Sequence, residues 1–156
     1  MEVHSLLTED MILPEIVSQE RDAVLGEMVN FLKNKGAVVN DKELSERLMQ
    51  REKLGSTVIG KGVAIPHCKL EEVRTPLLAL AVSKRGVDFA SVDGKLTHVF
   101  FLVITPLDDP SLNLQILASI ARLLRKSPSL QKKILGAIKP QKMVAIIRQE
   151  EKKRNE

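Results

Sequence analysis

Apolar residues recur at helical spacing over residues 19–35, where Val24, Leu25, Met28, Val29 and Leu32 share one face. Ser18 stands where a side-chain cap belongs, and Gly36 can end the helix. A second amphipathic helix is predicted from Asn40, whose side chain can cap while Glu43 completes a capping-box-like pair; Gly55 marks its end. Leu44 and Leu48 form its apolar stripe, and i, i+4, i+7 spacing carries that stripe to Arg51. This places a guanidinium toward the body of the protein, where it needs an anionic partner.

Leu77–Ser83 and His98–Thr105 are short apolar runs bounded by turn residues, the pattern of strands buried on both faces. Between them, Val87-Asp88-Phe89 alternates as a short extra strand and Val92-Asp93-Gly94-Lys95 has turn chemistry, so part of the sheet is expected to be antiparallel. Asp109 before Pro110 predicts a helix start, with Asp as cap and proline at a position whose amide would be unpaired anyway. That helix runs to about Lys126 on Ile116, Leu117, Ile120, Leu123 and Leu124, and two shorter ones follow at about Ser129–Ile138 and Gln141–Gln149. Helices alternating with strands predict an α/β fold: a single layered domain over 1–156, with a mixed, mostly parallel sheet flanked by helices. Residues from about 149 to 156 are expected to form a solvated tail.

Composition narrows the chemistry. With four Phe and neither Trp nor Tyr the core must be aliphatic, and no aromatic platform is available for stacking bases. The net charge of +4 is diffuse; its densest patches, Lys132-Lys133 and Lys152-Lys153-Arg154, read as solvated helix faces or tail, and no nucleic-acid partner is expected. A lone cysteine, Cys68, permits no internal disulfide and no multi-cysteine zinc site, which points to a reducing cytoplasm and to a small, half-buried filler rather than a redox switch. No apolar run approaches the length of a membrane span, so membrane insertion is not expected.

The usual enzyme motifs do not fit. Gly60-Lys61-Gly62 lacks the Ser/Thr and the helix that a phosphate loop requires, and reads as a turn. His4, His67 and His98 share no metal-ligand spacing. What remains is a short apolar strand, Val63-Ala64-Ile65, ending in the rigid Pro66 and presenting His67 where the chain turns. On pattern alone this histidine is either a structural polar side chain or a reactive one.

The run GSTVIGKGVAIPHCKL over 55–70 is similar to the signature around the phosphorylated histidine of the mannitol/fructose-type enzyme IIA family of the phosphotransferase system, including its nitrogen-regulatory branch. Arg51-Glu52 before the run, and Asp93-Gly94 and LQILASIARLL after it, extend the resemblance from about Leu7 to about Arg148. The resemblance implies that His67 is the phosphoryl acceptor and Arg51 the cation beside the phosphoryl group, where a planar fork suits the transferring oxygens. An ion pair inside the fold is the other reading of Arg51. The family commonly carries a second histidine at the start of the helix after the sheet, and Asn113 stands there instead: it can donate a hydrogen bond but supplies no titrating proton.

The implied partners are the small histidine phosphocarrier protein as donor and an enzyme IIB domain, or a regulated target protein, as recipient. No nucleotide, metal or organic cofactor is implied. An apolar docking rim is expected from Val63, Ile65 and Leu70. The alternative from the same resemblance is a regulatory module whose phosphorylation state controls protein binding.

Overall fold

Strand β6 (Thr97–Pro106) organises the chain, because its alternating side chains are apolar in both directions. In the computed structural model, which describes residues 1–153, Val99, Phe101 and Val103 enter one hydrophobic cluster while Phe100, Leu102 and Ile104 enter another on the opposite face. Antiparallel β5 (Leu77–Val87) repeats the division, sending Leu78, Leu80 and Val82 to the first cluster and Ala79 and Ala81 to the second. The alanines leave room opposite Phe100 and Leu102. Both faces are therefore apolar, and both need covering by helices.

The first face receives α4 (Pro110–Lys126), α5 (Leu130–Leu135) and α6 (Pro140–Lys152), together with Val3 of the short α1 (Val3–Leu6). The second receives α2 (Arg21–Asn34) and α3 (Asp41–Leu54) through Val24, Leu25, Met28, Leu32, Leu44 and Leu48. Burying each such Leu, Val or Phe contributes about 1.5–3 kcal/mol. The remaining strands are short: β1 (Ile12–Leu13), β2 (Val58–Gly60), β3 (Val63–Ala64) and β4 (His67–Leu70). The sheet order is β1-β5-β6-β3-β2, with β4 also on β6. Three of the five pairings are parallel, so the expected mixed α/β sheet between helices is the observed one.

Strands β3 and β4 lie end to end along β6, β3 at Val99-Phe100 and β4 at Val103–Pro106. Ile65 and Pro66 separate them, since proline has no amide to give to a ladder. Thus His67 begins a strand and does not sit in a turn, as the sequence had suggested. Gly60-Lys61-Gly62 is the turn between antiparallel β2 and β3, with positive φ at all three residues.

Several expected boundaries move for local reasons. Ser18 does not cap α2: its amide donates to the Glu27 carboxylate at 2.9 Å, and Glu20 takes the cap position without a side-chain hydrogen bond. Asn40 and Asp109 do cap, accepting from the amides of Glu43 and Leu112. Val87-Asp88-Phe89 adds no separate strand, because β5 continues through a bulge to Val87, with Gly86 at φ +89° and its amide donating to Ser83 Oγ. Phe89 then packs edge-on against Phe100, ring centres 5.1 Å apart. Helix α5 is shorter than expected and closes at Gly136. No helix among the described residues is long and apolar enough to cross a membrane.

The tail expected from about residue 149 begins no earlier than Lys153, because α6 runs to Lys152 and buries Glu150; residues 154–156 lie outside the described residues. The two basic patches meet there, with Lys133 and Lys153 each 2.7 Å from the Glu150 carboxylate and Ser127 Oγ donating to it at 2.6 Å. Burial alone would raise this carboxyl, but the hydrogen bonds from Lys133, Lys153 and Ser127 outweigh it and hold the value down to about 2. A lowered folded-state value contributes stability above the ordinary 4.5 and loses it as pH falls from 4.5 toward 2. Glu150→Ala is therefore expected to destabilise the domain by about 1–3 kcal/mol at neutral pH. Thermal melts should show the gap from the parent closing across that acid window; a gap independent of pH would contradict the assignment.

Candidate functional site

The Pro66 break decides how His67 is held. Pro66 O still accepts from Val103 N at 3.0 Å, but the preceding carbonyl, that of Ile65, is turned to the imidazole and accepts from His67 Nδ1 at 2.7 Å. A carbonyl can only accept, so the proton of the neutral ring resides on Nδ1 and the lone pair on Nε2. Burial depresses the imidazole below its ordinary value of 6.5, the Ile65 bond opposes this, and the positive charges of Arg51 and Lys69 add to the depression. A neutral, oriented imidazole at neutral pH is the result.

His67 faces a cavity of about 370 Å³ at the open edge of the sheet, lined also by Arg47, Arg51, Lys69, Leu107 and Asn113. Helix α3 supplies the arginines, β4 supplies His67 and Lys69, and the first turn of α4 supplies Asn113. The structure thus brings His67, Arg51 and Asn113 together on one cavity. Three cations and no carboxylate line it, which suits an anion.

Arg51 does not point into the body of the protein. The buried stripe of α3 runs Leu44, Leu48, Glu52, at i, i+4, i+8, and leaves Arg51 half-exposed beside the cavity. Its Nη1 donates to Gly55 O at 2.8 Å, and among the described residues no carboxylate lies within ion-pair distance of it. The anionic partner expected from the sequence is not a side chain of the fold, and the other edge of the guanidinium can serve an incoming group.

Asn113 is 7% exposed, and its Oδ1 accepts from Thr105 Oγ1 at 3.2 Å. With the oxygen occupied by Thr105, the amide nitrogen is the part left to donate. Thr105 sits on β6 opposite Lys69, so the sheet fixes this amide as it fixes His67. Nothing in the periodicity had marked Thr105, Arg47 or Lys69; all three sit at the edge where strand and helices meet, a feature of the assembled sheet.

The apolar rim differs from expectation. Val63, Ile65 and Leu70 are core residues: Val63 on β3 and Ile65 just after it enter the first cluster, and Leu70 at the end of β4 enters the second. The exposed apolar side chains lining the cavity are Leu54 at 86% and Leu107 at 45%; Leu114, 66% exposed, follows the cavity-lining Asn113 on α4. Cys68 packs partly into the second cluster, and burial pushes its thiol up to about 12, consistent with filler.

The three histidines occupy three different places. His98 Nδ1 donates to Ser83 O at 2.9 Å, in a structural role on the sheet. His4 lies between Glu2 and Glu151, 3.0 and 2.6 Å from their oxygens. Glu151 also accepts from the amides of Val3 and His4, tying α1 to α6. The 2.6 Å contact is a hydrogen bond between His4 Nδ1 and Glu151 Oε1, and the Glu2 oxygen lies 3.0 Å from the same nitrogen.

A family model described as the phosphoenolpyruvate-dependent sugar phosphotransferase system, EIIA 2, matches residues 5–150. The chain is 34% identical over 152 residues to a PTS system fructose-specific EIIABC component of Bacillus subtilis, covering 97% of this chain and 24% of that protein. It is 37% identical over 128 residues to a nitrogen regulatory protein of Bradyrhizobium diazoefficiens, covering 80% and 81%. The fold is similar to the crystal structure of nitrogen regulatory protein IIA-Ntr from Neisseria meningitidis, with a TM-score of 0.82 at 24% identity over 93% of this chain and 98% of that one. It is also similar to a chain in the complex of enzyme IIAMtl and phosphorylated enzyme IIBMtl from Escherichia coli, at 0.75 and 16% over 92% and 97%. The match over 146 residues, joined to a fold of the same kind, means that this chain belongs to the EIIA 2 family of the sugar phosphotransferase system.

Proposed function

We propose that this domain is a phosphoryl relay in which His67 accepts a phosphoryl group from the histidine phosphocarrier protein and passes it to an enzyme IIB partner in the cytoplasm. The observation that supports the reading is the Nδ1 hydrogen bond to Ile65 O, which leaves the lone pair of the cavity-lining His67 ring on Nε2, the atom we assign as nucleophile. Attack by the Nε2 lone pair on phosphorus forms the new N–P bond as the donor's N–P bond breaks, and the three peripheral oxygens travel with phosphorus. The ring then carries Nδ1–H and the phosphoryl group together, as an imidazolium whose charge the Ile65 carbonyl steadies. Such a ring leaves readily when the next nucleophile attacks from the opposite side.

In-line transfer needs alignment and charge stabilisation more than covalent help. Arg51 supplies a fork for two oxygens, Asn113 an amide donor, and Leu54, Leu107 and Leu114 a rim that excludes water once a partner docks. A second reading, a signalling module whose phosphorylation state controls its grip on a target protein, is favoured by the matches to proteins named nitrogen regulatory protein over about four-fifths of both lengths. Transfer onward to an enzyme IIB domain, against target binding that changes on phosphorylation, separates the two.

Incubation with phosphorylated carrier protein should place an acid-labile phosphoryl group on the domain, and His67→Ala should abolish it while leaving the melt unchanged. Label persisting on the variant, or found on His4 or His98, contradicts the assignment. Because the folded imidazole titrates below 6.5, the uptake rate should hold steady as pH falls to that value and decline only beneath it. Arg51→Lys should slow transfer more than it lowers stability, since charge is kept and the fork is lost.

Asn113 yields a further expectation. Asn113→Ala should slow single-turnover transfer roughly tenfold if one hydrogen bond is lost from the transition state. Asn113→His should match or exceed the parent and gain a titration near neutrality. Unchanged rates in both variants would remove Asn113 from the site.

A further inference from the structure

Glu52 sits one residue from Arg51, is 4% exposed, and has no part in the cavity. Placing a carboxylate there is unfavourable, and burial raises this carboxyl above its ordinary range despite the hydrogen bonds from Thr57 and the positive charges of Arg51 and Arg21. What the carboxylate does in that position is grip a single residue twice. Thr57 N donates to Glu52 Oε2 at 3.1 Å, and Thr57 Oγ1 donates to Oε1. Only a group with two acceptor oxygens takes both donors in this way; an amide has one.

The grip continues toward His67. Thr57 O accepts from Ile65 N at 3.0 Å, and the carbonyl of that same Ile65 accepts from His67 Nδ1 at 2.7 Å. Ile65 belongs to neither β3 nor β4, so no strand ladder holds its carbonyl in place. The hydrogen bond from its amide to Thr57 O is what anchors the segment on that side. In the same turn, Arg51 Nη1 holds Gly55 O, so two adjacent helical residues fasten both ends of 55–57.

We propose that Glu52 is a positioning residue for His67, acting through Thr57 and the Ile65 peptide to set the tautomer and direction of the imidazole. The inference rests on the reading of His67 as phosphoryl acceptor, but its tautomer arm does not. Without the double grip, Thr57 and Ile65 shift, the Ile65 carbonyl loses its aim, and the ring populates the form with the proton on Nε2, which cannot attack.

The test compares the parent with Glu52→Ala, Glu52→Gln and Thr57→Val by long-range ¹H–¹⁵N spectra of the His67 ring and by single-turnover uptake from phosphorylated carrier protein. The parent should show Nδ1–H. Glu52→Ala should show a mixture of tautomers and a rate lower on the order of tenfold to a hundredfold, with the concentration dependence on carrier protein unchanged. Thr57→Val keeps the backbone arm and should fall between, and Glu52→Gln should recover part of the loss. Should Glu52→Ala fail to fold, the other two variants carry the same signatures. A purely structural role predicts lower melting temperatures with the parent's tautomer and rate per folded molecule, and that result overturns the proposal. Absence of labelling in the parent would instead overturn the phosphoryl reading, leaving the tautomer comparison to decide the role of Glu52.

Discussion

The site depends on the hydrogen bond from His67 Nδ1 to the carbonyl of Ile65. It exists because Pro66 interrupts a line of chain that otherwise follows β6 from Val63 to Leu70. Without an amide at Pro66 the ladder cannot run through, and the Ile65 carbonyl is left for a side chain. The imidazole two residues on takes it, and the lone pair is left on its second nitrogen. Sequence chemistry, sheet geometry and tautomer are therefore one constraint, in which the residue that breaks the strand also orients the imidazole.

The surroundings follow from the sheet's alternation. Apolar side chains on both faces of β5 and β6 demand helices on both sides, and those helices meet the outer edge at β4. At that edge the C-terminal part of α3 and the N-terminal turn of α4 approach His67 from opposite faces. One brings Arg51, the other Asn113 already fastened to β6 through Thr105. Burial, with the charges of Arg51 and Lys69, depresses the imidazole, and a carboxylate-free cavity with three cations favours an anion, so ring and guanidinium act in the same direction.

Much of this was legible in the residue pattern. Caps at Asn40 and Asp109, the doubly buried apolar run of 98–105 and the α/β layering all read directly, since each is a signal strong enough to survive packing. Of the short strands only β3 was legible, as the apolar Val63-Ala64-Ile65 before Pro66; β1, β2 and β4 were not, because strands of two to four residues draw stability from neighbours rather than from their own periodicity. Glu52 and Arg51 exchanged roles for a related reason. The helical period allows either i+3 or i+4 to continue a stripe, and burial falls on Glu52, whose two oxygens accept from Thr57 five residues on. Val63, Ile65 and Leu70 were expected at a rim because they flank His67 in sequence. The path of the chain along β6 turns them inward, and the exposed leucines come from other elements. The tail from 149 was misplaced since Glu150 and its lysines look solvated until α5 and α6 bring them together.

The most direct measurement of the central claim is the site of phosphorylation within the ring. In ¹⁵N-labelled protein phosphorylated by its carrier, ¹⁵N–³¹P coupling should appear at Nε2 of His67, with the proton on Nδ1 retained in its hydrogen bond to Ile65. Coupling at Nδ1 would mean that the bond to Ile65 breaks to expose the nucleophile, and would contradict the account.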